Sequence, residues 1–201
     1  MPAATPMIFS KSLVKKQFQQ LVSIKEDDWS YFSERLKFRQ FGKNDQITVP
    51  GRVEENLYYL ADGVVRFIVQ TGVKETTTDF AFSGEFFCSY SSFITRTPGI
   101  FELRPVTKTA ACYFITRKNL QQVYENTSCG EKIGRLAAEQ LFIKKSAREV
   151  SLLTEHPKDR YLQLLEEQPQ WVHQIPLKYL ASYLGITPET LSRIRSLIST
   201  S

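Results

Sequence analysis

The side chains in this sequence best placed for chemistry are Glu189, Thr190, Ser192, Arg193 and Ser196. They fall within a few residues of one another, near the start of the last helical pattern. Their chemistry is recognition. An Arg can fork onto O6 and N7 of guanine, a Glu can accept from N4 of cytosine, and a hydroxyl can donate or accept. Such a set is useful only if a helix holds it outward against a groove, so the residues around it decide the reading.

Those residues spell two short helices joined by a turn, PLKYLASYLG and then ITPETLSRIR. Pro176 suits the first position of a helix, where its missing N–H would have been unpaired anyway. Leu177, Leu180, Ala181 and Leu184 recur on one face at helical spacing, with small Ala181 where a second helix must approach closely. Gly185 is the turn. Thr187 is expected to cap the next helix through its hydroxyl, Pro188 to occupy its first position, and Leu191, Ile194 and Ile198 to form its inner stripe. This is the pattern of a helix-turn-helix, which pushes the N-terminal part of its second helix into a DNA major groove. A helical hairpin that merely packs is the plainer alternative. Its solvated face would more often carry Lys and Glu four apart, and this face does not.

Bulk charge adds little to that reading. The chain has 201 residues, a net charge of +5 and a pI near 9.1. Residues 151–201 hold five Lys or Arg and five Asp or Glu, a net of zero. The 42% hydrophobic and 23% charged content is ordinary for a globular chain able to form one domain plus a small second one. Cys88, Cys112 and Cys129 are too few and too widely spaced for a disulfide framework or a Cys-x-x-Cys metal site. The beginning, MPAATPMIFS, lacks a basic region followed by an apolar run, and no stretch approaches a membrane span. A cytoplasmic protein with reduced thiols, no cofactor, no metal and no membrane partner is expected.

The elements that must carry the reading helix run helices, strands, long helix, helices. Phe9, Leu13, Phe18 and Leu21 predict a first amphipathic helix, and Ser23 with Glu26 predicts a capping box ahead of Trp29, Phe32 and Leu36. Short β-branched and aromatic runs follow at Phe38–Phe41, Ile47–Val49, Leu57–Ala61, Val64–Gln70, Lys74–Phe82 and Val106–Ile115, punctuated by turn signals. Regular punctuation of this kind predicts a β-roll or jelly-roll barrel, with Asp62-Gly63 its sharpest hairpin signal. Thr116 then opens a helix through Leu120, Val123 and Tyr124. From Ser128 to Leu153 a long helix is expected, with a partly apolar stripe of Ile133, Leu136, Ala137, Gln140, Leu141, Lys144, Ala147, Val150 and Ser151. Its roughly seven turns exceed what the barrel needs, which favours a helix–helix dimer seam over a plain core helix. His156-Pro157 breaks it as a hinge, and Tyr161, Leu162, Leu164 and Leu165 begin the small core of the last domain.

That order, together with NLYYLADGVVRF (Asn56 to Phe67), DRYLQLLEEQP (Asp159 to Pro169) and IPLKYLASYLGITPETLSRIR (Ile175 to Arg195), resembles the Crp/Fnr family of bacterial transcription regulators over nearly the whole chain. The last block resembles the branch found in Bacteroidetes-type bacteria. The resemblance implies an α+β chain in three parts. They are a cyclic-nucleotide-binding-like β-roll over residues 1–127, a dimerisation helix and hinge over 128–155, and a winged-helix-like helix-turn-helix domain over 156–201. The chain runs only a few residues past the second helix, so the wing is expected to be short or absent. It further implies a homodimer on two half-sites about 34 Å apart, meeting RNA polymerase if it activates. By the same resemblance Glu189, Ser192 and Arg193 read bases at a TTGA-like half-site, whereas Pro188 stands where some relatives carry another base-contacting Arg, against a TGTGA-type site. Thr187, Thr190, Lys178 and Arg195 are cast as phosphate contacts, which position without specifying sequence.

The barrel's ligand is less legible. In cyclic-nucleotide-binding relatives a Gly-Glu loop offers backbone N–H groups to the phosphate, an acid meets the ribose and an Arg neutralises the charge. Phe82-Ser83-Gly84-Glu85-Phe86-Phe87 matches the start of that cassette. The acid would fall near Ser89, and the Arg near Phe101 or Glu102, with Arg104 displaced and followed by Pro105. Without that acid and Arg, cyclic AMP is not the expected effector. Gly84, Glu85, Phe86, Ser89, Tyr90 and Arg104 remain candidates for an effector pocket, while Tyr90, Phe93, Phe101, Phe86 and Phe87 either line an apolar site or are simply core. An N-terminal cysteine cluster for an iron–sulfur sensor is missing, and His156 and His173 both lie beyond the barrel, against haem. Cys88 is either a redox switch or an unpaired buried thiol. An enzyme is not expected, because barrel oxygenases and isomerases need two His and a carboxylate inside the barrel. The rival function is a sensor module whose DNA binding requires a small ligand.

Overall fold

A computed structural model describes residues 9–199. Two short helices, α1 (Ser12–Gln19) and α2 (Glu26–Glu34), lead into strands β1 (Lys37–Gly42), β2 (Asn56–Asp62), β3 (Val64–Thr71), β4 (Lys74–Phe82) and β5 (Phe86–Phe87). A helical turn, α3 (Tyr90–Thr95), precedes β6 (Phe101–Pro105) and β7 (Thr109–Thr116). The rest is helical: α4 (Arg117–Asn126), α5 (Gly130–Thr154), α6 (Pro157–Glu167), α7 (Pro169–Gln174), α8 (Leu177–Tyr183) and α9 (Pro188–Ser199). The strands form two antiparallel sheets, in orders β1-β7-β2-β5 and β4-β3-β6, closed face to face as a β-roll. Leu60, Val65, Ala81, Phe87, Leu103, Cys112 and Ile115 meet between them, and Val14, Phe18, Phe32 and Leu120 from the helices cap the same core.

Several local expectations are corrected. Asp62-Gly63 does not turn a hairpin: β2 lies in one sheet and β3 in the other, so Gly63 is the corner where the chain crosses between them. The hairpin is instead at Gly72-Val73, where Thr71 pairs with Lys74. Gly63 has φ 106° and a Cβ there would stand 2.7 Å from the carbonyl oxygen of Thr109. Gly63→Ala should therefore cost about 2–4 kcal/mol in chemical unfolding, from backbone strain plus the clash. Gly72→Ala, also at positive φ but with nothing within 4 Å, should cost distinctly less.

The run Val106–Ile115 is not one strand. Val106 leaves β6 and donates its N–H back to Val64 at 2.7 Å, and β7 begins at Thr109. The strand β6 itself was obscured by its terminal Pro105, which a sheet tolerates because β6 is an edge. The Ile47–Val49 run makes only a bridge, Thr48 to Leu103. In α1 Phe18 is buried as expected and Phe9 and Leu13 pack partly buried against the core, while Val14, and Val22 just beyond, are buried more deeply than Leu13 and Leu21. The Ser23–Glu26 capping box does not form, because α2 starts at Glu26 behind Lys25, with no side-chain cap. Thr116, by contrast, accepts from the N–H of Asn119 and caps α4 as expected.

The 25-residue α5 spans about 37 Å and fully buries only Gly130. Its expected single stripe divides into two faces. Ala137, Leu141 and Lys144 turn toward the barrel. Leu136, Ile143 and Val150, spaced by seven, lie on the opposite side, with Ile143 66% and Val150 58% exposed.

The C-terminal helices do not keep a private core. Tyr161, Leu164, Trp171, Leu180 and Leu191 bury together with Val64, Phe80 and Val106 of the roll, while Leu162 is exposed. This explains the apolar run Phe80-Ala81-Phe82. Ala81 faces the barrel core, whereas Phe80 and Phe82 face the helices, with Phe82 stacked on Trp171 at 4.8 Å. Ser182 of α8 accepts from the backbone N–H of Thr77 at 2.9 Å. Among the described residues no helix is long and apolar enough to cross a membrane, and no cluster of His, Cys, Asp or Glu is set to hold a metal ion.

Candidate nucleic-acid interface and the barrel cavity

The helix-turn-helix is built from local backbone chemistry. Gly185 closes α8 at φ 73°, with Ile186 donating to the carbonyl of Ala181 and Gly185 to that of Ser182. These are the paired bonds of a Schellman motif, which satisfies two carbonyls at a helix end and favours Gly for its left-handed backbone. Pro176 stands just before α8, one residue earlier than expected. Thr187 accepts from the N–H of Thr190 at 3.2 Å, and Pro188 is the first residue of α9. Leu180, Ala181 and Leu184 close against Leu191 and Ile194, all buried.

Burying that stripe leaves Glu189, Ser192, Arg193 and Ser196 exposed on the other side of α9. The Glu189 carboxyl is held below its ordinary value by its own backbone N–H, with help from the Thr187 hydroxyl. It is therefore ionised at neutral pH and can only accept hydrogen bonds. Lys178 is exposed at the start of α8, and Arg195 on the outer side of α9. Thr187 and Thr190 are engaged with each other, their hydroxyls 3.2 Å apart. Of the seven residues expected at DNA, these two already serve the helix start.

Two arginines that the sequence did not single out hold the reading unit to the long helix. Arg160 donates to the carbonyls of Leu184 and Glu155, joining the turn of the helix-turn-helix to the end of α5. Arg148 of α5 donates to the Tyr183 carbonyl at 2.6 Å and lies over the Tyr183 ring. The bonds to Leu184 and Tyr183 run to backbone carbonyls 24 and 35 residues away, so no local spacing announces them.

Between the barrel and α5 lies a cavity of about 740 Å3. Of the expected effector residues, Glu85, Phe86 and Tyr90 line it, and so do Phe87, Phe93 and Phe101. Gly84, Ser89 and Arg104 do not. Gly84 gives its N–H to Leu60 and Glu85 to Phe82, so the cassette loop spends those donors on the roll itself. Ser89 is fully buried, and Arg104, facing Arg66 across the edge of its sheet, is paired with Glu102. Burial raises the Glu85 carboxyl above its ordinary range. Burial also pushes the Cys88 thiol far up, which keeps it protonated and unreactive.

No protein-family model matches the sequence, and no curated protein is similar to it. Solved structures are. FixK2 from Bradyrhizobium japonicum superposes with a TM-score of 0.70 at 17% identity, over 82% of this chain and 85% of that one. The c-di-GMP responsive global regulator CLP of Xanthomonas campestris superposes at 0.66 with 20% identity, over 88% and 92%. A CooA variant from Carboxydothermus hydrogenoformans gives 0.66 at 15% identity, over 98% and 86%. The chain shares the overall fold of these solved structures. The roll, long helix and C-terminal helices of this chain stand in the order its sequence predicts.

Proposed function

We propose that this Crp/Fnr-like protein is a sequence-specific DNA-binding transcription regulator of the Bacteroidetes-type branch, cytoplasmic and not an enzyme. It acts as a homodimer joined through α5. Glu189, Ser192 and Arg193 read a TTGA-like half-site, while Thr187, Thr190, Lys178 and Arg195 lie toward phosphates. Residues 1–127 sense, 128–155 dimerise and 156–201 bind DNA, with RNA polymerase as a partner if the protein activates. The observation that carries the reading is the exposed acid, hydroxyl and Arg on the first turns of α9, mounted on a capped start and a buried stripe. That is the combination which presents base-reading groups to a major groove.

Cyclic AMP is not the effector in this reading. The loop donors are spent, and Arg104 stands outside the cavity. A second reading, a sensor whose DNA binding requires an unidentified small ligand, is favoured by the cavity itself.

The test is selection from a random duplex pool by the purified protein, without ligand and with cyclic AMP. Enrichment of a TTGA-type inverted repeat without ligand supports the regulator as proposed. Enrichment only with cyclic AMP overturns the account of the barrel. Enrichment in neither favours the ligand-requiring sensor.

A further inference from the structure

We infer that Arg66, a residue of the roll, is a positioning residue for DNA reading. Its contact with α8 fixes the recognition helix α9 relative to α5, and so sets the spacing of half-sites that the dimer accepts; this rests on the proposed reading of α9 as the base-contacting helix. The need for such a residue arises at the hinge. Glu155 and His156, between α5 and α6, are both extended, at ψ 152° and 147°. Their φ and ψ angles are the soft degrees of freedom between the long helix and the reading unit. With twelve residues α9 is about 18 Å long, so a tilt of about 10° moves its far end by about 3 Å, close to the ~3.4 Å rise of one base pair. Small changes in how the unit is seated therefore change which spacing fits.

Arg148 and Arg160 brace the unit from the side of α5, and the roll seats it from the other side. Val65 and Phe67 of β3 turn into the barrel core, so Val64 and Arg66 turn outward, toward the C-terminal helices. Much of the seat is apolar: the Phe80 ring lies 5.5 Å from that of Trp171 and 5.7 Å from that of Tyr183. Apolar burial holds two surfaces together without fixing their angle, because it is non-directional.

Two contacts on the same seat are directional. Ser182 accepts from the N–H of Thr77 at 2.9 Å, and the Arg66 guanidinium lies over the Tyr179 ring, 3.9 Å from its centroid. Arg66 is only 5% exposed. Its Nε donates to the Thr77 hydroxyl at 2.8 Å and its Nη1 pairs with Glu75 at 3.0 Å, which holds the plane of the group. Thr77 links the two contacts, receiving Arg66 on its hydroxyl and reaching α8 through its N–H. A permanently charged group so deeply covered is costly unless partners surround it. Tyr179 covers its face in one seating of α8, and α9 follows because Leu180 and Leu184 pack on Leu191 and Ile194.

The test joins a measurement without DNA to a spacing series, both on the full chain. Arg66→Met keeps an unbranched side chain and removes the planar charge. Amide exchange followed by NMR should become at least about tenfold faster at Thr77 and through α8, while amides of β2 and β7 in the other sheet keep wild-type protection. Duplexes carrying a TTGA inverted repeat at the preferred spacing, and with one base pair more or fewer, read the consequence. The wild type should prefer its own spacing by at least about tenfold and Arg66→Met by less than about threefold, with affinity for a single half-site unchanged. A merely structural role would instead lower all of these affinities together. Tyr179→Leu removes the same contact from α8 and should reproduce both effects, so it decides the matter if Arg66→Met does not fold. Wild-type protection at Thr77 and α8, or an unaltered spacing preference, would overturn the inference. A wild-type chain that binds none of the duplexes overturns the base-reading assignment itself, a result told apart from failure of the Arg66 contact by the exchange measured without DNA.

Discussion

Arg193→Ala is expected to remove most of the discrimination for the operator while sparing general attraction to DNA. A bidentate Arg–guanine contact contributes about 1–3 kcal/mol against the wrong base. A homodimer makes the contact twice, so affinity for the inverted repeat should fall by about 2–6 kcal/mol, roughly thirtyfold to twenty-thousandfold. Arg193 is exposed on the second turn of α9, away from the buried Leu191 and Ile194, so the fold should not register its loss. The salt dependence separates the two kinds of contact. Lys178→Ala, cast at phosphate, should weaken all sequences alike and reduce the salt slope by about one per chain, whereas Arg193→Ala should leave the slope nearly unchanged and flatten preference at one G·C pair. Binding titrations on the selected operator and on a duplex altered at that pair, each at several salt concentrations, measure both. Unaltered preference in Arg193→Ala would remove this residue from base reading.

The helix-turn-helix was legible because its determinants are local. Gly185 ends one helix, Thr187 and Pro188 start the next, and the leucines between them need only helical spacing to find one another. What failed was whatever depended on distant partners. Asp62-Gly63 has the composition of a hairpin, yet the choice between turning back and crossing to the other sheet is made by β7, whose Thr109 carbonyl leaves no room for a side chain at Gly63. The phase of α1 is set by what it covers, so Val14 is buried more deeply than Leu13, which packs at the edge of the core. The candidate effector site divides in the same way. Glu85, Phe86 and Tyr90 reach the cavity, but Arg104 lies on an edge strand the sequence disguised with Pro105.

The shared core between roll and C-terminal helices changes how a signal would travel. Strand β4 borders the cavity from Thr78 to Ala81, and its Phe80 and Phe82 also pack on the C-terminal helices, Phe80 against Tyr183 of α8 and Phe82 against Trp171 of α7. The long helix touches both sides too, through Lys145 to Asp79 and through Arg148 to Tyr183. A ligand that displaced α5 from the barrel would therefore act on the reading unit through two contacts only a few residues apart. Such a ligand shifts the equilibrium only by its difference in affinity for the two arrangements.

The outer face of α5 carries the remaining large effect. Ile143→Asp with Val150→Asp should convert the dimer to monomers and lower affinity for the inverted repeat by about 10²–10⁴, the avidity a second linked half-site supplies. Leu136, Ile143 and Val150 recur every seven residues, the interval that keeps one seam facing a partner helix. Within one chain Ile143 and Val150 are mostly exposed, and burying each would contribute about 1.5–3 kcal/mol per helix. Replacing them by Asp removes that gain and sets like charges against one another across the seam. The same exposure predicts that the single-chain fold loses little, since neither side chain belongs to either core. Leu141, two residues before Ile143, borders the barrel cavity instead, so Leu141→Asp should leave the dimer intact. Sedimentation of the double variant, paired with its unfolding curve, decides the matter: a dimer that persists, or a monomer that still holds the full inverted repeat at wild-type affinity, would place the partner contact elsewhere on the molecule.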